Sequence, residues 1–185
     1  MNRKFSLVLA IVLPTALVPL AADARVTQTS HSQVSFTGTG PAGMQIVGTS
    51  SDLTVGEEGT NIKVAVPLAK LTTGIALRDR HMREKYLEVE KYPNAELVLA
   101  RAGLHVPAAG ASSDANANGT MTIHGKSRQV TIHYVAKRTG AGLQVAGSVH
   151  VNMNDYGIET PSYLRVSIKP DVDIAVAFDV SDLTL

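Results

Sequence analysis

The chain has 185 residues, with 17 basic and 16 acidic side chains, six histidines, no cysteine and no tryptophan. The missing cysteine excludes disulfides, thiol catalysis, thiolate metal sites and a lipid-modified N-terminal cysteine. A net charge of +1 argues against nucleic acid as a partner and against a polybasic membrane contact.

Residues 1–24 read as a secretory signal peptide. Arg3 and Lys4 give a basic start, and Phe5 through Leu20 is almost wholly apolar but broken by Pro14 and Pro19. Ala22-Asp23-Ala24 then supplies a small-x-small cleavage pattern. The two prolines, and a run shorter than the ~20 residues a spanning helix needs, argue against a membrane anchor. No later run is long enough to insert in a membrane. The expected compartment is the periplasm, with secretion the other outcome of export. Residues 25–185 fit one domain of ordinary size, with acidic and basic groups balanced.

That domain is rich in Val, Ala, Thr, Ser and Gly, and its dominant pattern is the period-two alternation of strands with one apolar face. In chain order, Gln33–Thr37 and Met44–Val55 read as weak strands. Ile62, Val64, Val66 and Leu68 alternate with Lys63, Ala65 and Pro67. Arg78–Tyr92 carries the only helical pattern after the leader. Asp79 is placed to cap it and to pair with Arg83, and Met82, Tyr86 and Val89 form a stripe suited to lying over a barrel end. Ala95–Arg101 is another weak strand, and Pro107 to Gly119 reads as a mobile loop.

Residues 120–135 read as a hairpin turning at Gly125-Lys126-Ser127-Arg128, with His124 opposite Gln129. Met121, Ile123, Val130, Ile132 and Tyr134 then share one face, and Thr122, His124, Thr131 and His133 the other. Leu143, Val145, Val149 and Val151 alternate with polar or small neighbours. From Val166 to Val180 the apolar residues fall on even numbers, with Pro170 marking a bend, bulge or edge.

These runs amount to about eight strands, the number that closes a small barrel. The expected fold is therefore all-β: an eight-stranded antiparallel lipocalin-like barrel with one short helix across an end. Too few aromatics for membrane girdles, and Lys63, Lys169, Asp171, Asp173 and Asp179 on the polar face, place the apolar face inside. Inward positions are mostly small or branched, with Gly48 and Gly147 among them, so a cavity for a long hydrocarbon is plausible.

No catalytic or metal centre emerges. His81 with Asp79, Glu84 and Glu88 lacks a second histidine at helical spacing, and His124, His133 and His150 read as surface histidines. There is no Gly-x-Ser-x-Gly elbow and no glycine-rich phosphate loop, so neither a nucleophile nor a cofactor is expected. Among Tyr86, Tyr134, Tyr156 and Tyr163, Tyr134 on the apolar face is the best placed to orient a ligand's polar end. A core tyrosine satisfied by backbone is the equal alternative.

Several blocks resemble the YceI-like family of lipocalin-like, polyisoprenoid-binding periplasmic proteins. They are Ser30-His31-Ser32-Gln33-Val34-Ser35-Phe36, Thr72-Thr73-Gly74-Ile75, Arg78-Asp79-Arg80-His81-Met82 and Tyr92-Pro93-Asn94-Ala95-Glu96-Leu97. Gly119-Thr120-Met121-Thr122-Ile123-His124-Gly125 and Asn154-Asp155-Tyr156-Gly157-Ile158 complete the order. The resemblance implies a barrel around a long isoprenoid chain, such as a polyprenyl phosphate or a quinone tail. Three positions depart from the family pattern. Val26-Thr27-Gln28 stands where a tryptophan is common, no aromatic occurs near Gly48–Leu53, and Arg165 stands where glycine is usual.

The reading is a binding protein, not an enzyme, with an isoprenoid lipid as partner. Expected cavity residues are Phe36, Ile46, Val64, Val66, Leu68, Ile123, Ile132, Tyr134, Val149, Val151, Met153, Ile174 and Phe178. Arg78, Asp79 and His81 would hold the helix at the barrel end, with Arg78 near a head group. Two alternatives stay open. One is an envelope hydrolase or isomerase with Asp79 and His81 facing the cavity. The other is a filled barrel acting through its surface, whose edges around Pro67 and Pro170 leave a homodimer open.

Overall fold

A computed structural model describes residues 26, 28–140, 142–163 and 166–181. The signal-peptide segment, Arg165 and the side chain of Tyr163 lie outside the described residues.

The alternating segments form strands β1 (Gln28–Thr39), β2 (Gln45–Ser50), β3 (Thr54–Glu58), β4 (Asn61–Pro67), β5 (Asn94–Ala100) and β6 (Ser112–Ile123). They continue as β7 (Lys126–Thr139), β8 (Gly142–Asn152), the short β9 (Ser162–Tyr163) and β10 (Val166–Ser167), and β11 (Asp171–Val180). Nine of them make one antiparallel sheet in the order β2-β1-β11-β8-β7-β6-β5-β4-β3, and β9 and β10 pair separately. The two edge strands, β2 and β3, are consecutive in the chain, so three residues link the two edges of the curled sheet.

The ninth strand arises inside the expected Met44–Val55 strand, which the structure splits. Ser50 Oγ accepts the Asp52 backbone N–H at 3.0 Å, turning the chain, and Leu53 drops into the core at 4% exposure. Pro170 does interrupt the last run: β10 ends at Ser167 and β11 begins at Asp171.

Two expectations are corrected. The first concerns the hairpin. Its turn is His124-Gly125, with φ of 51° and 70°, and Ile123 pairs with Lys126. This is the left-handed two-residue turn that suits twisted strands. The expected register was four residues off. Four is even, so every side chain stays on its expected face, and Met121, Ile123, Ile132 and Tyr134 are all buried inside. His133 lies opposite Asn116, not Thr120.

The second is the stretch expected to be a loop up to Gly119, most of which belongs to β6. Ala115, Ala117 and Gly119 point inward while Asp114, Asn116 and Asn118 point out, a strand alternation written in small residues. Small residues are required there. A Cβ on Gly119 would sit 2.5 Å from Leu99 Cδ2 and 2.8 Å from the Val98 carbonyl. Gly119→Val is expected to lower stability by about 1–3 kcal/mol through overpacking. An unchanged urea midpoint would contradict this account of the strand.

The helix begins two residues earlier than expected and is shorter. It comprises α1 (Ala76–His81) and one π-helical turn, Met82–Tyr86. Glu88, at φ 43°, ends it. Asp79 is not the cap; Ile75 occupies that position, and Asp79 reaches back from within the helix.

Candidate functional site

The inward faces do not fill the barrel. An inner cavity of about 140 Å³ lies among β3 to β8 and β11. A larger outer cavity of about 730 Å³ lies between the barrel wall, α1 with its π turn, and the 153–162 segment. Val66, Ala95, Ile123 and Ile174 line both, so the two are adjoining chambers of one apolar space. The inner chamber matches cavities that take a benzene-sized group, and the outer falls within the usual range of small-molecule sites.

Every expected cavity residue lines one chamber or the other. Phe36 of β1, Ile46 of β2, Leu68 after β4, Arg78 of α1, and Val151 and Met153 around the end of β8 border the outer chamber. Val64, Ile132, Tyr134, Val149 and Phe178 border the inner one, and Val66, Ile123 and Ile174 border both. The absence of an aromatic near Gly48 has a local compensation, because the Phe36 ring from β1 covers Gly48, its cross-strand partner.

The segment that roofs the outer chamber is tied down by Asp79. This carboxylate is 5% exposed. It accepts the Thr72 hydroxyl at 2.6 Å, the Thr73 backbone N–H at 2.7 Å and the Thr73 hydroxyl. Burial opposes its charge, but these three donors and nearby Arg83 hold its pKa below the ordinary value of 3.8. Arg78 completes the knot, donating Nε to the Thr73 hydroxyl at 2.7 Å and Nη2 to the Thr73 carbonyl at 2.8 Å. Asp79 does not line the cavity, whereas His81 borders its mouth. The two therefore do not form a joint acid–base pair facing the space, which is the arrangement the enzyme alternative requires.

A second tie joins the roof to the β6–β7 turn. His124 is not an ordinary surface histidine: its side chain is 13% exposed, and Nε2 lies 2.9 Å from Glu88 Oε2. Tyr92 packs edge-on against its ring at 4.5 Å. Lys91 and His124 together hold the Glu88 carboxyl below its ordinary value. Sequence reasoning missed this cluster because its members come from a loop and a turn, where no periodicity marks burial.

The Tyr134 alternatives are resolved by geometry. Its hydroxyl accepts the His105 backbone N–H at 2.6 Å and donates to the His105 carbonyl at 3.4 Å, closing the inner end of the barrel. Tyr86 borders the outer chamber, as does Tyr156, whose hydroxyl is buried and whose pKa burial pushes above its usual value. His133 and His150 are exposed and paired across strands with Asp114 and Asp173, each at 2.7 Å. Among the described residues no three metal-ligating side chains converge, and no helix is long and apolar enough to cross a membrane.

Residues that the strand pattern did not reveal complete the walls: Leu104 and Val106 from the 101–111 segment, and Ile158 and Pro161 from the 153–162 segment. Their sequence context carries no period: Leu104 and Val106 stand among mostly small residues, Ile158 and Pro161 among mostly polar ones.

A curled antiparallel sheet around an apolar space, roofed by a short helix, defines a lipocalin-like barrel with an internal cavity. The profile of the YceI-like domain matches residues 26–180, and the chain belongs to that family. UPF0312 proteins of Pseudomonas savastanoi pv. phaseolicola and Pseudomonas syringae pv. syringae are each 30% identical over 124 residues. Those matches cover 62% of this chain and 61% of each relative, so they span about three-fifths of the relatives' length.

Among solved structures, a polyisoprenoid-binding domain from Saccharophagus degradans implicated in plant cell wall breakdown superposes with a TM-score of 0.70. It is 15% identical, with 85% of this chain and 97% of that one covered. Burkholderia cenocepacia BcnA gives a TM-score of 0.64 at 18% identity, covering 81% and 96%. At these identities the likeness establishes the shared fold.

Proposed function

We propose that residues 25–185 form a single lipid-binding domain that holds one long isoprenoid-type chain inside the barrel. The protein then acts as a carrier or reservoir in the periplasm after removal of residues 1–24. The observation that carries this reading is the pair of adjoining apolar chambers, about 730 and 140 Å³, walled mostly by apolar side chains. A flexible hydrocarbon that enters the outer chamber and ends in the inner one gains about 0.8 kcal/mol per buried methylene before ordering costs. The polyisoprenoid-binding neighbour of the same fold supports the same ligand class.

In this reading the fourteen residues named above contact the chain. Arg78 at the outer chamber offers the charge for a phosphate or the donors for a quinone oxygen, since Thr73 engages only two of its five N–H groups. The reading as a binder, not an enzyme, is supported by the engagement of Asp79 away from the cavity.

The test is native mass spectrometry with lipid extraction on protein purified from the periplasm without detergent. A bound polyprenyl or quinone species is the expected result. A bare protein mass that stays unchanged after incubation with isoprenoid lipids would overturn the proposal.

A further inference from the structure

The near-zero net charge of the whole chain conceals a local imbalance at the cavity mouth. Five large apolar side chains are exposed among the described residues, and three of them, Met44, Ile75 and Leu77, border the outer chamber. They are 50%, 53% and 56% exposed. Single exposed hydrophobics are ordinary, but three gathered at one opening make a patch that calls for a partner.

The charge around that patch is basic. Ala76–Tyr86 carries Arg78, Arg80, Arg83 and Lys85 against Asp79 and Glu84. Asp79 is buried and turned toward Thr72 and Thr73, so within this segment Glu84 alone is an exposed acid, beside the exposed Arg80 and Lys85 and the half-buried Arg78 and Arg83. Arg80 is exposed, has no ion-pair partner among the described residues, and follows Leu77 by three positions, which places both on one helix face.

We propose that this lip docks the barrel mouth on an anionic lipid surface. The apolar trio enters the acyl boundary while Arg80 and Lys85 meet lipid phosphates, as basic amphipathic segments do. The charge favours a membrane over a second copy of the chain, because a two-fold contact through this lip would bring like charges together. The inference rests on the proposed lipid cargo: a chain too insoluble to diffuse must be collected from a bilayer, and docking sets the mouth against the source.

The test is flotation of the protein with vesicles of phosphatidylcholine alone or of equimolar phosphatidylcholine and phosphatidylglycerol, beside uptake of an isoprenoid alcohol from aqueous dispersion. Association with the anionic vesicles only, weakened by added salt, is expected. Arg80→Glu combined with Lys85→Glu should weaken it by at least about tenfold while leaving uptake from dispersion unchanged, since neither residue lines the cavity. Ile75→Asp with Leu77→Asp should abolish flotation.

Flotation without any uptake supports the docking lip and removes the carrier reading. Uptake without flotation overturns the lip and leaves the carrier reading standing. Equal flotation with both vesicles, insensitivity to charge reversal, or a dimer in solution that Ile75→Asp dissociates without any vesicle binding would each overturn the proposal.

Discussion

Ile174→Trp is expected to weaken binding of a long isoprenoid by two to three orders of magnitude while leaving shorter isoprenoids bound. Ile174 lines both chambers, and its ladder partners are Phe36 on one side and Val149 on the other. Gly48, Phe36, Ile174 and Val149 thus form one lateral row across the barrel wall where the chambers meet. An indole projecting from this row closes the passage inward. Four or five carbons shut out of the inner chamber cost roughly 3–4 kcal/mol at about 0.8 kcal/mol each. About 1.4 kcal/mol corresponds to tenfold in affinity. A chain that fits within the outer chamber loses none of this. Titration with isoprenoids of graded length, on protein whose melting curve is unchanged, reads the effect. Equal affinity of wild type and variant for the longest chain would show that ligands do not pass Ile174.

The barrel interior was legible because it obeys one rule. Val64, Ile132, Val149, Ile174 and Phe178 each sit in a run whose parity separates wall from solvent, and parity survives an error in register. The β6–β7 hairpin shows this directly: its register differs by four residues from the expected one, yet Tyr134 and Ile123 still face inward. The signal failed where the inward residues were small. Ala115, Ala117 and Gly119 have too little apolar surface to register as a strand, though the close approach of Leu99 and the Val98 carbonyl is what demands them there.

The roof was less legible than the wall, for a different physical reason. Asp79 in front of a helical stripe resembles a cap, and only three-dimensional placement reveals that its partners, Thr72 and Thr73, precede the helix. A turn at Gly125-Lys126-Ser127-Arg128 would leave His124 a polar strand residue. Once the turn is His124-Gly125, the ring tucks beneath Tyr92 and reaches Glu88. Loop residues such as Ile158 and Leu104 carry no period at all. Their burial follows from the barrel having two ends that must be covered, a requirement of the curled sheet as a whole and not of any local run.

Asp79→Ala should therefore damage the protein through its roof, not through its wall. The substitution leaves the Thr73 N–H and two hydroxyls without their acceptor in a buried knot. Hydrogen bonds to a charged group are worth more than neutral ones, and the expected loss is about 2–3 kcal/mol. For a domain of this size that corresponds to roughly 5–10 °C in Tm. Asp79→Asn should lose less, because its amide oxygen can still accept the Thr73 N–H while a threonine hydroxyl rotates to accept from its NH₂.

The pH dependence separates this account from a general packing defect. The folded protein holds Asp79 below its ordinary value of 3.8, so as pH falls the unfolded chain takes up the proton first. The contribution is complete above that value and disappears as pH drops through the lower folded value. The stability gap between wild type and Asp79→Ala, measured by urea denaturation, should accordingly be constant near neutrality and shrink once the pH falls below 3.8. A gap that stays constant into strong acid would mean the carboxylate's charge is not what holds the roof in place.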